Sequence, residues 1–156
     1  MRTKSILILP CSMAKLDRPA QAFDLYQGKG YLSVVKKYTL LQLSEVFHVL
    51  FLSAKLGLIE AREHIEPYEQ VMTNERSNLL VNDDVFCKSA LSVLAKCQTD
   101  TIYSIMPKKY QAVLEQWLIK AETGLELNKP EPGSGIGFQR GYLSKILSDK
   151  ISSINH

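Results

Sequence analysis

Cys11, Ser12 and Lys15 stand together in PCSMAK, directly after the apolar run Ile6 to Leu9, and three chemistries suit that spacing. A turn leaving a buried strand can aim successive backbone N–H groups at one anion, with a lysine as counter-charge, so the segment could cradle a phosphate or carboxylate. A neighbouring ammonium also favours a thiolate, lowering a cysteine pKa of ordinarily about 8.5 and making Cys11 a nucleophile at neutral pH. Conversely, Lys15 beside another cation or in an apolar setting could lose its proton and itself attack a carbonyl or nitrile. The plainer alternative has Cys11 closing the strand as a small hydrophobe and Lys15 solvated. The glycines of a P-loop are absent.

Two further segments add polar groups. FDLYQG, Phe23 to Gly28, places an acid, the phenol of Tyr26 and a glycine in one loop, able to read polar edges or cover a planar ligand. LSAKLGL, Leu52 to Leu58, offers Ser53 and Lys55, with Gly57 free to take a positive φ or admit a ligand closely, and IEPY follows with Glu66 and Tyr68. Ordinary turns are the alternative reading of both. His64 is a lone loop histidine and weak evidence for a general base. GSGIGFQR, Gly133 to Arg140, puts glycines and Arg140 at a helix start without the GxGxxG spacing. No metal or other cofactor is expected, because His48, His64 and His156 are isolated. Contacts to nucleic-acid phosphates would fall to Lys108, Lys109, Arg140, Lys145 and Lys150.

The elements that must position these groups follow from periodicity. Short, buried runs at Ser5–Leu9, Val46–Leu52 and Thr101–Met106 predict strands, the first and last ended by Pro10 and Pro107. Helical spacing predicts helices over Tyr31–Leu43, from an Asn82 N-cap to Cys97, over Pro107–Lys120 with Gly124 as its stop, and over 137–154, capped by Ser134. Alternation of strand and helix gives an α/β fold: a small, mostly parallel sheet covered by helices on both faces. In such sheets ligands bind beyond the carboxyl ends of the strands. Those ends are Pro10–Lys15, Ser53–Gly57 and Met106–Lys109.

A chain of 156 residues is expected to form one domain, with 137–154 packed on it as a C-terminal helix. Hydrophobic residues at 46% and charged residues at 22% exclude wholesale disorder, and a net charge of +3 permits nucleic-acid contact without requiring it. Three unpatterned cysteines suggest neither a disulfide framework nor a metal knuckle, and no run reaches membrane-spanning length. A cytoplasmic protein with no membrane partner is the expectation.

PCSMAK, FDLYQG and LSAKLGLIEAREHIEPYEQVMT together resemble an uncharacterised bacterial and phage family marked by PCS-x-x-K, an LY motif and LSA-x-x-GL followed by PY. The arrangement is more distantly similar to the YaaA-type peroxide-stress proteins, which are associated with DNA binding. PCSMAK also has the PC-x-x-x-K pattern of archaeosine synthase, whose lysine is implicated in attack on a deazaguanine nitrile in tRNA. Leu16 and Asp17 replace the proline and tyrosine that follow there, and its later histidine is missing, so the amidine-forming reaction is not implied. The resemblance implies a site built from Cys11, Ser12, Lys15, Tyr26, Ser53, Lys55, Gly57 and Tyr68, facing a nucleobase, nucleotide or nucleic acid. An enzyme-like role is one expectation, with Cys11 or Lys15 as reactive group; non-enzymatic DNA binding is the alternative.

Overall fold

The computed structural model describes residues 4–28, 30–131 and 135–153. In chain order its strands are β1 (Ser5–Pro10), β2 (Ala20–Gln21), β3 (Phe47–Ser53), β4 (Gly57–Glu60), β5 (His64–Ile65), β6 (Thr101–Ser104) and β7 (Glu126–Asn128). The helices are α1 (Ala22–Leu25), α2 (Tyr31–Val35), α3 (Leu40–Ser44), α4 (Asn74–Asn82), α5 (Asp84–Lys96), α6 (Lys108–Lys120) and α7 (Ile136–Ser152).

The expected α/β fold is present. Five strands form one sheet in the order β4-β3-β1-β6-β7, all parallel except β4, and β2 pairs with β5 in a small antiparallel sheet. β1 is buried at every residue because it is central and covered on both faces. Its side chains alternate between two cores. Leu7 and Leu9 join Phe47, Val49 and Phe51 beneath α1, α2, α3 and α7, whereas Ile6 and Ile8 join Leu50, Leu52 and Ile102 beneath α4, α5 and α6. Each such aliphatic residue, taken fully from water, contributes roughly 1.5–3 kcal/mol.

Element boundaries differ from the periodic reading where capping intervenes. Tyr31–Leu43 is two helices, because Thr39 and Gln42 form a capping box that starts α3 anew. The helix before β6 is capped by Asp83, not Asn82, through a bond from the Val85 amide to Asp83 Oδ1 at 2.8 Å, and α4 precedes it. α6 ends at Lys120 with Ala121 as its C-cap, and Glu122 takes φ 50°, so the stop does not need Gly124. α7 begins after Gly135 and packs Leu143 and Leu147 onto the core; Gly133, the Ser134 cap, Ile154 and His156 lie outside the described residues.

The topology selects one crevice. The chain leaving β1 crosses over α1–α3 to β3, while the chain leaving β6 enters α6 on the opposite face and returns to β7. The direction of winding therefore reverses between the carboxyl ends of β1 and β6, where an open sheet parts to admit a ligand.

Candidate functional site at the carboxyl edge of the sheet

Cys11 sits at that reversal. Its amide N–H donates to the Leu52 carbonyl at 3.1 Å, which holds the chain in register with β3 one residue beyond Pro10. Its Sγ then lies 3.3 Å from Tyr110 Oη, on the first turn of α6. The hydroxyl of Ser12 donates to the Ala14 carbonyl at 2.6 Å and tightens the turn. Lys15 next pairs with Tyr26 as an isolated antiparallel bridge, flanked by Leu16 N–H to Leu25 carbonyl at 3.0 Å and Gln27 N–H to Ala14 carbonyl at 2.8 Å. PCSMAK and FDLYQG, separated in the chain by residues 16–22, are thus joined backbone to backbone.

The third segment completes the cluster. Ser53, at the end of β3 and fully buried, is 2.5 Å from Tyr68 Oη, which is 2.6 Å from Tyr26 Oη. Lys15 Nζ stands 4.5 Å from the centre of the Tyr68 ring and 5.9 Å from that of Tyr26. Lys55 Nζ approaches the Tyr68 ring at 5.6 Å. Tyr68 thereby receives two cations on its π-system, an arrangement that places positive charge over the hydroxyl chain. Arg76 on α4 braces the turn beneath, its Nε donating to the Ala54 carbonyl at 2.6 Å and its Nη2 to the Lys55 carbonyl at 2.5 Å.

Burial shapes the protonation of these groups. It raises the Tyr26 pKa to about 12, with the charges of Cys11 and Glu63 acting in the same direction. Burial likewise raises Tyr68 and Tyr110 far above an ordinary phenol, and Cys11 adds to both. Lys15 is lowered by burial, against the opposing charges of Cys11 and Glu69. The cluster therefore holds three protonated phenols and one ammonium that gives up its proton more easily than a solvated lysine.

Six of the eight residues the sequence assigns to the site are brought together: Cys11, Lys15, Tyr26, Ser53, Lys55 and Tyr68. Gly57 does take a positive φ of 83°, but a Cβ there would meet the Phe86 ring at 3.0 Å. The close neighbour is thus a core side chain, not a ligand. Ser12 serves the turn, and the Cys11 amide is taken by Leu52, so PCSMAK does not offer the free run of N–H groups expected of an anion cradle. His64 lies exposed in β5 opposite Gln21. The basic residues expected on phosphates are divided between faces: Lys108 and Lys109 start α6 over one core, whereas Arg140 and Lys145 belong to α7 over the other.

Tyr110 and Arg76 escaped the sequence reading. Tyr110 packs against the core beneath α6, as helical spacing with Val113 and Leu114 implies, and its hydroxyl also reaches Cys11. The signal that separates it is position: a first-turn residue after a strand's carboxyl end points to the crevice. Arg76 carried no such signal, since α4 itself has little apolar periodicity.

A cavity of about 860 Å³ runs along β4, the edge strand of the sheet, lined by His48, Ile59, Glu60, Lys96 and Cys97 among others. Its reactive groups are quiet. Burial and the charge of Lys4 lower the His48 pKa, and Cys97, its thiol raised by burial, donates to the Val93 carbonyl at 3.5 Å. Among the described residues no group of His, Cys, Asp and Glu side chains is placed to hold a metal ion, and no helix is long and apolar enough to cross a membrane.

Residues 6–145 match the model of DUF6884, a family of unknown function, and the chain belongs to that family. No curated protein matches it. The matched span runs from β1 into α7 and takes in every residue of the cluster.

Proposed function

We propose that this member of DUF6884 binds and acts on a nucleotide or nucleobase at the carboxyl edge of its sheet. The observation that carries the reading is the convergence of Cys11, Lys15, Tyr26, Ser53 and Tyr68, drawn from three separate segments, beside the reversal of the sheet. The motif resemblance supplies the class of ligand; the geometry supplies its charge. Lys15 and Lys55 attract an anionic or electron-rich group, the buried phenols hold protons for it, and Cys11 or a deprotonated Lys15 is the nucleophile. Desolvation of Lys15 favours the lysine in that last role.

Calorimetric titration with nucleoside mono- and diphosphates and with free bases tests this. Lys15→Met and Cys11→Ala should each remove binding or turnover while the melting temperature stays within a few degrees of the parent. Binding that survives both substitutions would remove the proposal.

A non-enzymatic reading has one observation in its favour: Lys108 and Lys109 are both exposed on the first turn of α6, beside the crevice. On that reading duplex DNA binds, and its affinity falls with salt at a slope of about −0.9 per phosphate neutralised. The absence of a gel shift at low salt would count against it.

A further inference from the structure

Tyr26 is held at its backbone by a residue outside the cluster. It closes α1, a single turn with no side-chain N-cap and no basic residue in its last turn, so the helix supplies little stability of its own. The Tyr26 amide N–H donates to the Ala22 carbonyl at 3.1 Å, and the bridge to Lys15 is made by the flanking amides of Leu16 and Gln27. None of these bonds uses the Tyr26 carbonyl. Its partner is Lys36, the C-cap of α2, whose Nζ donates to it at 2.5 Å. Tyr26 has no exposed surface, so among the described residues Lys36 alone satisfies a carbonyl that water does not reach.

The Lys36 side chain is itself fixed. α2 buries Leu32, Val34 and Val35 in the core, so the ammonium is presented from a firm base. It stands 5.6 Å from the centre of the ring of Phe23, a buried residue of α1. Burial lowers the Lys36 pKa, against the opposing charge of Asp24. A cation at the carbonyl end of a helix is favourable, and α1, which lacks one, receives it from ten residues further along the chain.

We propose that Lys36 is a positioning residue of the candidate site, setting the place of the Tyr26 backbone and, through the bridge between Tyr26 and Lys15, the place of Lys15. This rests on the site reading given above and adds to it the group that holds the first two motifs against each other. Lys36 acts through Tyr26 and touches no ligand. Without its ammonium a buried carbonyl is left unpaired, a cost that the one-turn helix relieves by loosening its hold on Lys15. A site whose groups are held less firmly binds more weakly, because ordering them opposes binding.

Titration of adenosine diphosphate onto the parent protein, Lys36→Met and Lys36→Arg, with amide hydrogen exchange followed in each before ligand is added, tests this. In Lys36→Met, exchange at the Leu16 and Gln27 amides should rise about 10-fold while the β1 amides stay protected, and affinity should fall about 10-fold. Lys36→Arg keeps a charged donor and should return both to within about threefold of the parent. Unchanged exchange in Lys36→Met overturns the proposal. Raised exchange with parental affinity also overturns it, since Lys36 then supports the fold and not the site, and so does an Arg variant no better than Met. A parent that binds no adenosine diphosphate overturns the site reading itself, and the positioning role with it. Should Lys36→Met fail to fold, nitrogen-labelled lysine in the parent gives the answer: the Lys36 ammonium protons must exchange with water more slowly than those of exposed Lys37, and adenosine diphosphate must move the Lys15 signal and leave that of Lys36 in place. Equal exchange at Lys36 and Lys37 overturns the proposal.

Discussion

Ser53 donates its hydroxyl proton to Tyr68 because both of its acceptor positions are taken by backbone amides, those of Lys55 and Leu56. Tyr26, hydrogen-bonded to Tyr68 and fully buried, lies at the other end of the cluster. Its burial has a consequence in alkali. The unfolded chain releases the Tyr26 proton near pH 10, whereas the folded chain keeps it until about pH 12. The stabilisation is fully present below pH 10 and is lost as the pH rises through that window, a difference of roughly 3 kcal/mol. Urea unfolding measured from pH 9 upward should show this fall in the parent and a flatter profile in Tyr26→Phe; equal slopes would contradict the burial argument. Gly57 is the residue whose role changed most between sequence and structure. Its positive φ and the Phe86 ring at 3.0 Å from a Cβ position make Gly57→Ala destabilising by about 1–3 kcal/mol, measurable by the same unfolding method, whether or not any ligand is present.

Among the elements, the short turn between β3 and β4 depends on a helix that contributes little to the core. α4 sends Arg76 to the carbonyls of Ala54 and Lys55, and the amides of Lys55 and Leu56 in turn hold Ser53. Removing the guanidinium in Arg76→Met should raise hydrogen exchange at the Lys55 and Leu56 amides by about an order of magnitude while the β1 amides stay protected. Unchanged exchange would show that the turn is held without α4. β1, β3 and β6 were legible because apolar runs closed by Pro10, Ser53 or Pro107 mark them in the sequence. β4 and β7 were not, since neither is an apolar run set off by a breaker and both gain their place only by pairing with β3 and β6. The split of Tyr31–Leu43 was hidden for a different reason: apolar spacing persists across the break, while the capping box of Thr39 and Gln42 decides it locally.

For the whole molecule, the sheet order is what turns three separate motifs into one site. Strand-end positions could be read from the sequence, so Cys11, Lys15, Ser53 and Lys55 were placed at one edge correctly. The reversal at β1 could not, because it depends on β6 joining β1 on the side away from β3. That reversal is what brings Tyr110 to Cys11, and it also sends α6 and α7 to opposite faces, dividing the lysines and arginine expected to act together. The central claim is that ligand enters at this carboxyl edge and not at the cavity along β4. Backbone amide shifts recorded while a nucleoside diphosphate is added test it most directly. The account predicts that Cys11 to Lys15, Tyr26, Ser53 to Leu56 and Lys108 to Tyr110 move together with one saturation curve. Shifts confined to His48, Glu60 and Cys97, around the cavity along β4, would contradict it.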